Sequence, residues 1–251
     1  LFGSQVMPAL AAWSAWTAFP PSFAPDDSTL AEILDGGQAF RWYGPTEHGV
    51  WSGSWGDTFA EVRRHPSGVL EWRAVTADAR DPAAAVHRYF ALDQDWAGWM
   101  DRLPWRSDAH LARCQAAFPH LRLLRQPFGE TLLGFLCSAT KQILQIKQMM
   151  RLLAERHGEP VAPGIHRLPT WDALARVPEG ELRRCLLGFR ARYIHETALR
   201  LQAEPDWLAV TEAAPYAVAK ERLCSLPGVG EKVADCEIGR ASCRERVSLN
   251  V

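Results

Sequence analysis

Apolar and aromatic positions follow two regimes along this chain, and the change falls between residues 74 and 81. From Gln38 to Ala74, short runs (Phe40-Arg41-Trp42-Tyr43, Val50-Trp51, Thr58 to Val62, Val69 to Trp72) alternate with Gly44-Pro45, Gly53 to Asp57 and His65 to Gly68. Brief aromatic and β-branched runs punctuated by turn residues predict an antiparallel meander. Beyond it the period lengthens. Asp81-Pro82 opens a helix through Phe90, with proline where its missing N–H costs nothing. Leu132, Leu133, Phe135 and Leu136, then Ile143, Leu144, Ile146, Met149, Met150 and Leu153, recur at helical spacing, with a break at Ser138 to Lys141 and a stop at Gly158. Thr170 caps a short helix to Val177, Pro178 starts another ending near Gly188, Arg190 to Gln202 forms a basic helix, and Pro215 starts one that runs to about Ser225.

The pattern predicts an α+β protein: an N-terminal antiparallel sheet domain followed by a mainly α-helical one. Its expected divisions are an irregular segment 1–25, a sheet domain with flanking helices 26–110, a helical domain 111–236 with a helix-hairpin-helix at about 215–236, and an atypical tail 237–251.

Composition narrows the function classes. At 251 residues, 47% hydrophobic and 23% charged, the chain lies in the globular range. It contains no apolar run near the roughly 18 residues of a membrane span, and its start lacks a basic leader. A soluble intracellular monomer with no membrane partner is expected, in the cytoplasm or nucleoid of a bacterium or the nucleus of a eukaryote. Six dispersed cysteines and eight scattered histidines have no metal-ligand spacing, so neither metal nor cofactor is expected. The net charge of −1 hides an asymmetry: residues 1–110 carry 8 Lys+Arg against 14 Asp+Glu, and 111–251 carry 20 against 15. A polyanion would meet the second half. The eleven tryptophans, eight of them before residue 100, read mostly as packing.

The informative stretch is Leu226-Pro227-Gly228-Val229-Gly230-Glu231-Lys232-Val233-Ala234-Asp235-Cys236. A helix, a Pro-Gly-Val-Gly turn and a second helix leave hairpin N–H groups and a helix N-terminus free to hold a phosphate, while the glycines permit close backbone approach. Leu226, Gly228, Val229 and Gly230 are the candidate phosphate-binding positions. The bland reading is an αα turn with no ligand. Lys232 falls in the first turn of the second helix, where the positive end of the macrodipole opposes an ammonium ion and favours the nucleophilic amine. Such an amine could attack C1′ of a flipped nucleotide, or simply touch a phosphate.

These residues resemble the catalytic hairpin of the 8-oxoguanine DNA glycosylase/AP lyases, base-excision repair enzymes of the helix-hairpin-helix superfamily. Gly37-Gln38-Ala39-Phe40-Arg41-Trp42, Tyr89-Phe90-Ala91-Leu92-Asp93, Leu123-Leu124-Arg125-Gln126, Phe135-Leu136-Cys137-Ser138 and Gly188-Phe189-Arg190-Ala191-Arg192-Tyr193 follow in family order. The resemblance implies double-stranded DNA containing oxidised guanine or abasic sites as partner, and excision by base flipping and Schiff-base chemistry. Lys232 would be the nucleophile. Gly37 would offer its carbonyl to the N7 hydrogen of 8-oxoguanine, Cys236 would line the base pocket, and Arg190 would read the orphaned cytosine. The alternatives are a non-catalytic DNA-binding module and a monofunctional alkyl-base glycosylase.

Two departures stand out. Where family members carry an Asn-rich run followed by Arg, this chain has Ala139-Thr140-Lys141-Gln142-Ile143-Leu144-Gln145, so Gln145 replaces one arm of an arginine pair. Relaxed opposite-base preference is expected, with Thr140 and Lys141 as further DNA contacts. After the lysine helix the family reaches Val-Pro-Val-Asp-Val-His, with its catalytic aspartate. Here residues 237–251 run differently, and the chain as given is expected to be an impaired fragment with a foreign tail.

Overall fold

The computed structural model describes residues 13–76, 81–162 and 164–241. Strands β1 (Thr17–Ala18), β2 (Trp42–Tyr43), β3 (Trp51–Trp55), β4 (Thr58–Arg64) and β5 (Leu70–Thr76) form one antiparallel sheet in the order β1-β5-β4-β3-β2. Its register pairs Trp51 with Val62 and Val62 with Trp72. Alternation turns Trp51, Gly53 and Trp55, then Thr58, Ala60 and Val62, then Leu70, Trp72 and Ala74, to the buried side. Gly53 is required there, because a Cβ would enter the Trp42 ring. The other face carries the cross-strand pairs Arg63–Glu71 and Arg73–Glu61, with the Trp16 ring over the Arg63 guanidinium at 3.8 Å.

Two helices close the buried side. Helix α1 (Asp27–Asp35) starts where the Asp26 carboxylate accepts from the Thr29 N–H at 2.7 Å, and it buries Leu30, Ile33 and Leu34. Helix α2 (Pro82–Tyr89), capped by Asp81, buries Val86 and Tyr89. Tyr89 stacks on Trp55 at 3.9 Å and accepts a hydrogen bond from Trp42 Nε1 at 3.0 Å. Short helices α3 (Trp96–Arg102) and α4 (Ala109–Ala117) lead out of this unit.

The helical part is arranged around α5 (Phe128–Ser138) and α6 (Ile143–His157). A hairpin of β6 (Pro160–Ala162) and β7 (Ile165–His166) follows, then α7 (Trp171–Ala175), α8 (Glu179–Leu182) and a wound segment, Arg183–Leu187. Helices α9 (Arg190–Ala203), α10 (Trp207–Ala213), α11 (Tyr216–Cys224) and α12 (Glu231–Ala241) complete it. Among the described residues no helix is long and apolar enough to cross a membrane. The α+β architecture and the sheet-then-helices order are as the pattern predicts.

The differences have physical causes. Thr17–Ala18 lies in the stretch read as irregular, yet it pairs with β5, and Phe19 and Phe23 enter the sheet's core. Two residues are too few for a visible alternation. Helix α12 runs past Cys236 to Ala241, with Ala234 and Glu237 buried and Ile238 packed on the core. Residues 1–12 and 242–251, the rest of the expected irregular start and atypical tail, lie outside the described residues.

Sheet and helices have separate cores, and named side chains join them. Phe40, in the segment entering β2, meets Phe135 of α5 edge-on at 6.2 Å. The Gly56 N–H donates to Glu130 of α5 at 3.0 Å. Desolvation there pushes the Glu130 carboxyl above its usual range, against the pull of Arg41. Lys147 of α6 reaches Asp35 at 2.8 Å. The buried Gln38 amide donates to the Arg122 carbonyl at 3.1 Å and accepts from the Leu124 N–H at 2.9 Å, pinning two segments 84 and 86 residues apart in sequence. Replacing it with an apolar side chain strands two buried backbone groups, at about 1 to 3 kcal/mol each. We expect Gln38→Leu to lower unfolding stability by about 2 to 4 kcal/mol in urea titrations; a change under about 0.5 kcal/mol would refute this pin.

Candidate functional site

The hairpin between α11 and α12 is built from the inside out. Leu226 and Val229 point into the helical core, 3% and 6% exposed, and the Val229 N–H donates to the Leu226 carbonyl at 3.2 Å. Arg200 of α9 holds the hairpin's entrance, donating from Nη1 to the Ser225 carbonyl at 3.1 Å and to Ser225 Oγ at 2.9 Å. The two glycines differ in role. Gly228 has φ +78°, and a Cβ there would lie 2.5 Å from Tyr193 Cδ2, so this glycine is required by the fold itself. A Cβ on Gly230 would meet nothing within 4 Å, which leaves that side of the turn open to an incoming group.

Lys232 projects from the first turn of α12 and is exposed. Cys236, half-buried, follows four residues on, which places both on one side of the helix. Val233, Ala234 and Ile238 seat α12, which packs against α5. Asp235 faces α11: its carboxylate accepts from the Tyr216 hydroxyl at 2.5 Å and from Lys220 Nζ at 3.1 Å, and Lys220 also reaches Glu231 at 3.4 Å. The Tyr216 bond, assisted by Lys220, holds the Asp235 carboxyl below its ordinary range. Tyr216, Lys220 and Asp235 therefore brace the two hairpin helices. Sequence reading missed this brace, because Tyr216 and Lys220 form one helix face whose partner is identified only once the hairpin closes.

A second group assembles at the C-terminal end of α5. Ser138 closes that helix by donating to the Phe135 carbonyl at 2.7 Å, and the chain then turns through Thr140 at φ +55°. Arg190, 2% exposed, crosses to this turn: Nη2 donates to Thr140 Oγ1 at 3.1 Å and to the Ala139 carbonyl, and Nη1 donates to the Leu187 carbonyl at 3.3 Å. Its charge also lies against Cys137, whose thiol burial pushes up to about 12. Lys141 is half-buried; Gln145 is exposed, and its Oε1 accepts the Gln142 N–H at 3.3 Å, closing the first turn of α6. Gly37 sits at φ +97° beneath that turn, where a Cβ would come within 2.9 Å of Ile143 Cδ1.

The structure thus brings Gly37, Thr140 and Arg190 together around the turn before α6, with Gln145 one helical turn on. Lys232 and Cys236 sit on α12, which follows the hairpin and packs against α5. Arg190, expected from the resemblance to read a base, directs its Nη donors to protein oxygens. The exposed apolar side chains here, Leu144 at 77%, Leu186 at 54% and Phe189 at 51%, escaped the sequence reading. Leu144 belongs to a helix's apolar series, and nothing local marks which member of that series faces out. Among the described residues no group of three or more His, Cys, Asp or Glu is placed to hold a metal ion.

A family model described as 8-oxoguanine DNA glycosylase, N-terminal domain, matches residues 23–132. The N-glycosylase/DNA lyase OGG1 of Arabidopsis thaliana is 31% identical over 234 residues, covering 87% of this chain and 62% of that protein. The N-glycosylase/DNA lyase of Saccharomyces cerevisiae is 31% identical over 231 residues, covering 82% and 61%. The chain spans about three fifths of the length of these curated relatives. The structure of the Clostridium acetobutylicum 8-oxoguanine glycosylase/lyase, solved with dsDNA containing cytosine opposite to 8-oxoG, matches with a TM-score of 0.75 at 27% identity, over 85% of this chain and 73% of that one. The sheet followed by a mainly helical part agrees with these likenesses, and over residues 23–132 the chain matches the 8-oxoguanine DNA glycosylase family.

Proposed function

We propose that this protein is a DNA repair glycosylase with AP lyase activity, excising 8-oxoguanine from duplex DNA. The observation that carries the reading is an exposed lysine in the first turn of a helix that opens from a hairpin with free space at Gly230. The hairpin grips a phosphate through backbone N–H groups, a contact indifferent to sequence. The damaged nucleotide leaves the stack, at a cost of a few kcal/mol that damage lowers.

The lone pair of Lys232 Nζ forms the bond to C1′ as the N-glycosidic bond breaks; its electron pair leaves with the base, which takes up a proton. The amine then loses a proton, the C1′–O4′ bond opens with O4′ protonated, and a protonated imine remains. Removal of a C2′ proton expels the 3′ phosphate and cuts the strand. Gly37 offers its carbonyl to the flipped base, Cys236 borders it, and Thr140, Lys141 and Gln145 face the opposite strand. With Gln145 in place of an arginine fork, discrimination in favour of cytosine is relaxed.

Borohydride reduction traps the imine on an abasic duplex. We expect a covalent adduct with the parent chain and none with Lys232→Gln, at unchanged melting temperature. Binding without an adduct would leave only a phosphate-holding module.

The glycines separate grip from fold. Gly230→Val enters open space and should weaken binding to abasic duplex at least about fivefold while leaving thermal unfolding unchanged. Gly228→Ala, strained by its positive φ and by Tyr193, should destabilise the fold by about 1 to 3 kcal/mol. Equal affinity of Gly230→Val and parent would take the hairpin out of the interface.

A further inference from the structure

Lys147, 8% exposed, is a lysine almost out of water among the buried residues of α6. Its Nζ pairs with Asp35 at 2.8 Å and lies 4.9 Å from the centre of the Tyr43 ring. Asp35 is the last residue of α1 and Tyr43 lies in β2, so one ammonium group ties together the elements on either side of residues 36–41. Gly37 lies in that loop. Ile143, four residues before Lys147 and on the same side of α6, would bring its Cδ1 within 2.9 Å of a Cβ on Gly37. Nothing local favours Asp35 where it stands: a carboxylate in the last turn of a helix faces the negative end of the macrodipole, and α1 has no basic residue there. The cation that this helix end lacks comes from α6.

We infer that Lys147 is a positioning residue for specificity: by tying Asp35 and Tyr43 to α6 it fixes the loop from which Gly37 offers its carbonyl to the flipped base, and so sets how well 8-oxoguanine is told from guanine. This rests on the proposed glycosylase function, which supplies the base. The rest of the loop is held from other sides, by the Gln126 amide on the Gln38 carbonyl at 2.6 Å and by Phe40 against Phe135. Gly37, at φ +97°, adopts a conformation open to glycine, and its direction is set by the residues around it. The two bases differ at N7, which carries a hydrogen in 8-oxoguanine and a lone pair in guanine. A carbonyl oxygen bonds the first and repels the second, and the bond weakens steeply as its distance and angle depart from ideal. An anchor on this loop therefore acts on discrimination and leaves the imine chemistry of Lys232 alone.

The test uses the full chain and duplexes that differ at one position: 8-oxoguanine opposite cytosine, guanine opposite cytosine, or an abasic site. The parent is expected to bind the 8-oxoguanine duplex more tightly than the guanine duplex and to be trapped by borohydride on the abasic one. Lys147→Met, which keeps the length of the side chain and loses its charge, should cut that binding ratio at least about tenfold, since misplacement by a residue remote from the chemistry costs up to about a hundredfold. Trapping should match the parent, because an abasic site has no base to read. Lys147→Arg should restore part of the ratio. Asp35→Asn, a change at the more exposed partner, should lower the ratio as well and carries the test if Lys147→Met does not fold. An unchanged ratio in these variants, with or without a general loss of binding and trapping, overturns the positioning role and leaves the glycosylase reading standing. A parent that is trapped but binds both base duplexes equally takes Gly37 out of base reading and this inference with it. A parent that is not trapped at all overturns the glycosylase reading as well.

Discussion

The burial of α5 is the constraint on which the rest depends. Eight of its eleven residues are buried, among them Leu132, Leu133, Leu136 and Cys137, so no side of it can face water. A helix apolar all round must be enclosed on every side, and α6, α9, α10 and α12 do this. Packing α12 against α5 seats the lysine helix. The end of α5 at Ser138 starts the turn that Arg190 captures, and Glu130 near its beginning receives the sheet through Gly56.

The joints around this helix are polar, and they set direction more than they add strength. Ion pairs such as Lys147–Asp35 and the Tyr216–Lys220–Asp235 brace are partly open to water, so their net contribution is small. What they fix is orientation: Asp35 ends the helix that leads to Gly37, and Asp235 clamps α12 one residue before Cys236. The buried bonds of Gln38 and Arg190 are of another kind, because they satisfy backbone groups that have no water to turn to. Arginine and glutamine thereby replace secondary structure where the chain is irregular. Both residues lie in segments that carry the family resemblance, and both are buried.

Strain marks the same places. Among the described residues, Ala91, His120, Thr140 and Leu186 are the non-glycines with positive φ, and the last two flank the Arg190 clip. Gly37 and Gly228, which take positive φ at no Cβ cost, sit under Ile143 and Tyr193. The candidate site is thus framed by backbone that the surrounding packing forces into shape.

Much of this could be read along the chain. Short apolar and aromatic runs between turn residues predict the meander over residues 38–74, helical spacing predicts α5 and α6 with the break between them, and the Pro-Gly-Val-Gly turn marks both the hairpin and Lys232, because each is a local pattern with a local cause. The pairing of Thr17–Ala18 with β5, the continuation of α12 to Ala241 and the separate duties of Gly228 and Gly230 could not be read, since each depends on a partner distant in sequence. Arg190 is the clearest case. Sequence places a guanidinium at the start of a basic helix, and the resemblance implies that it reads a base; the tertiary structure turns it inward, because the Ala139 and Leu187 carbonyls offer it acceptors where water is excluded. Residue type and spacing determined which chemistry the chain carries; which groups meet solvent and which meet each other was decided only by the folded packing, since burial is a property of neighbours and not of the residue.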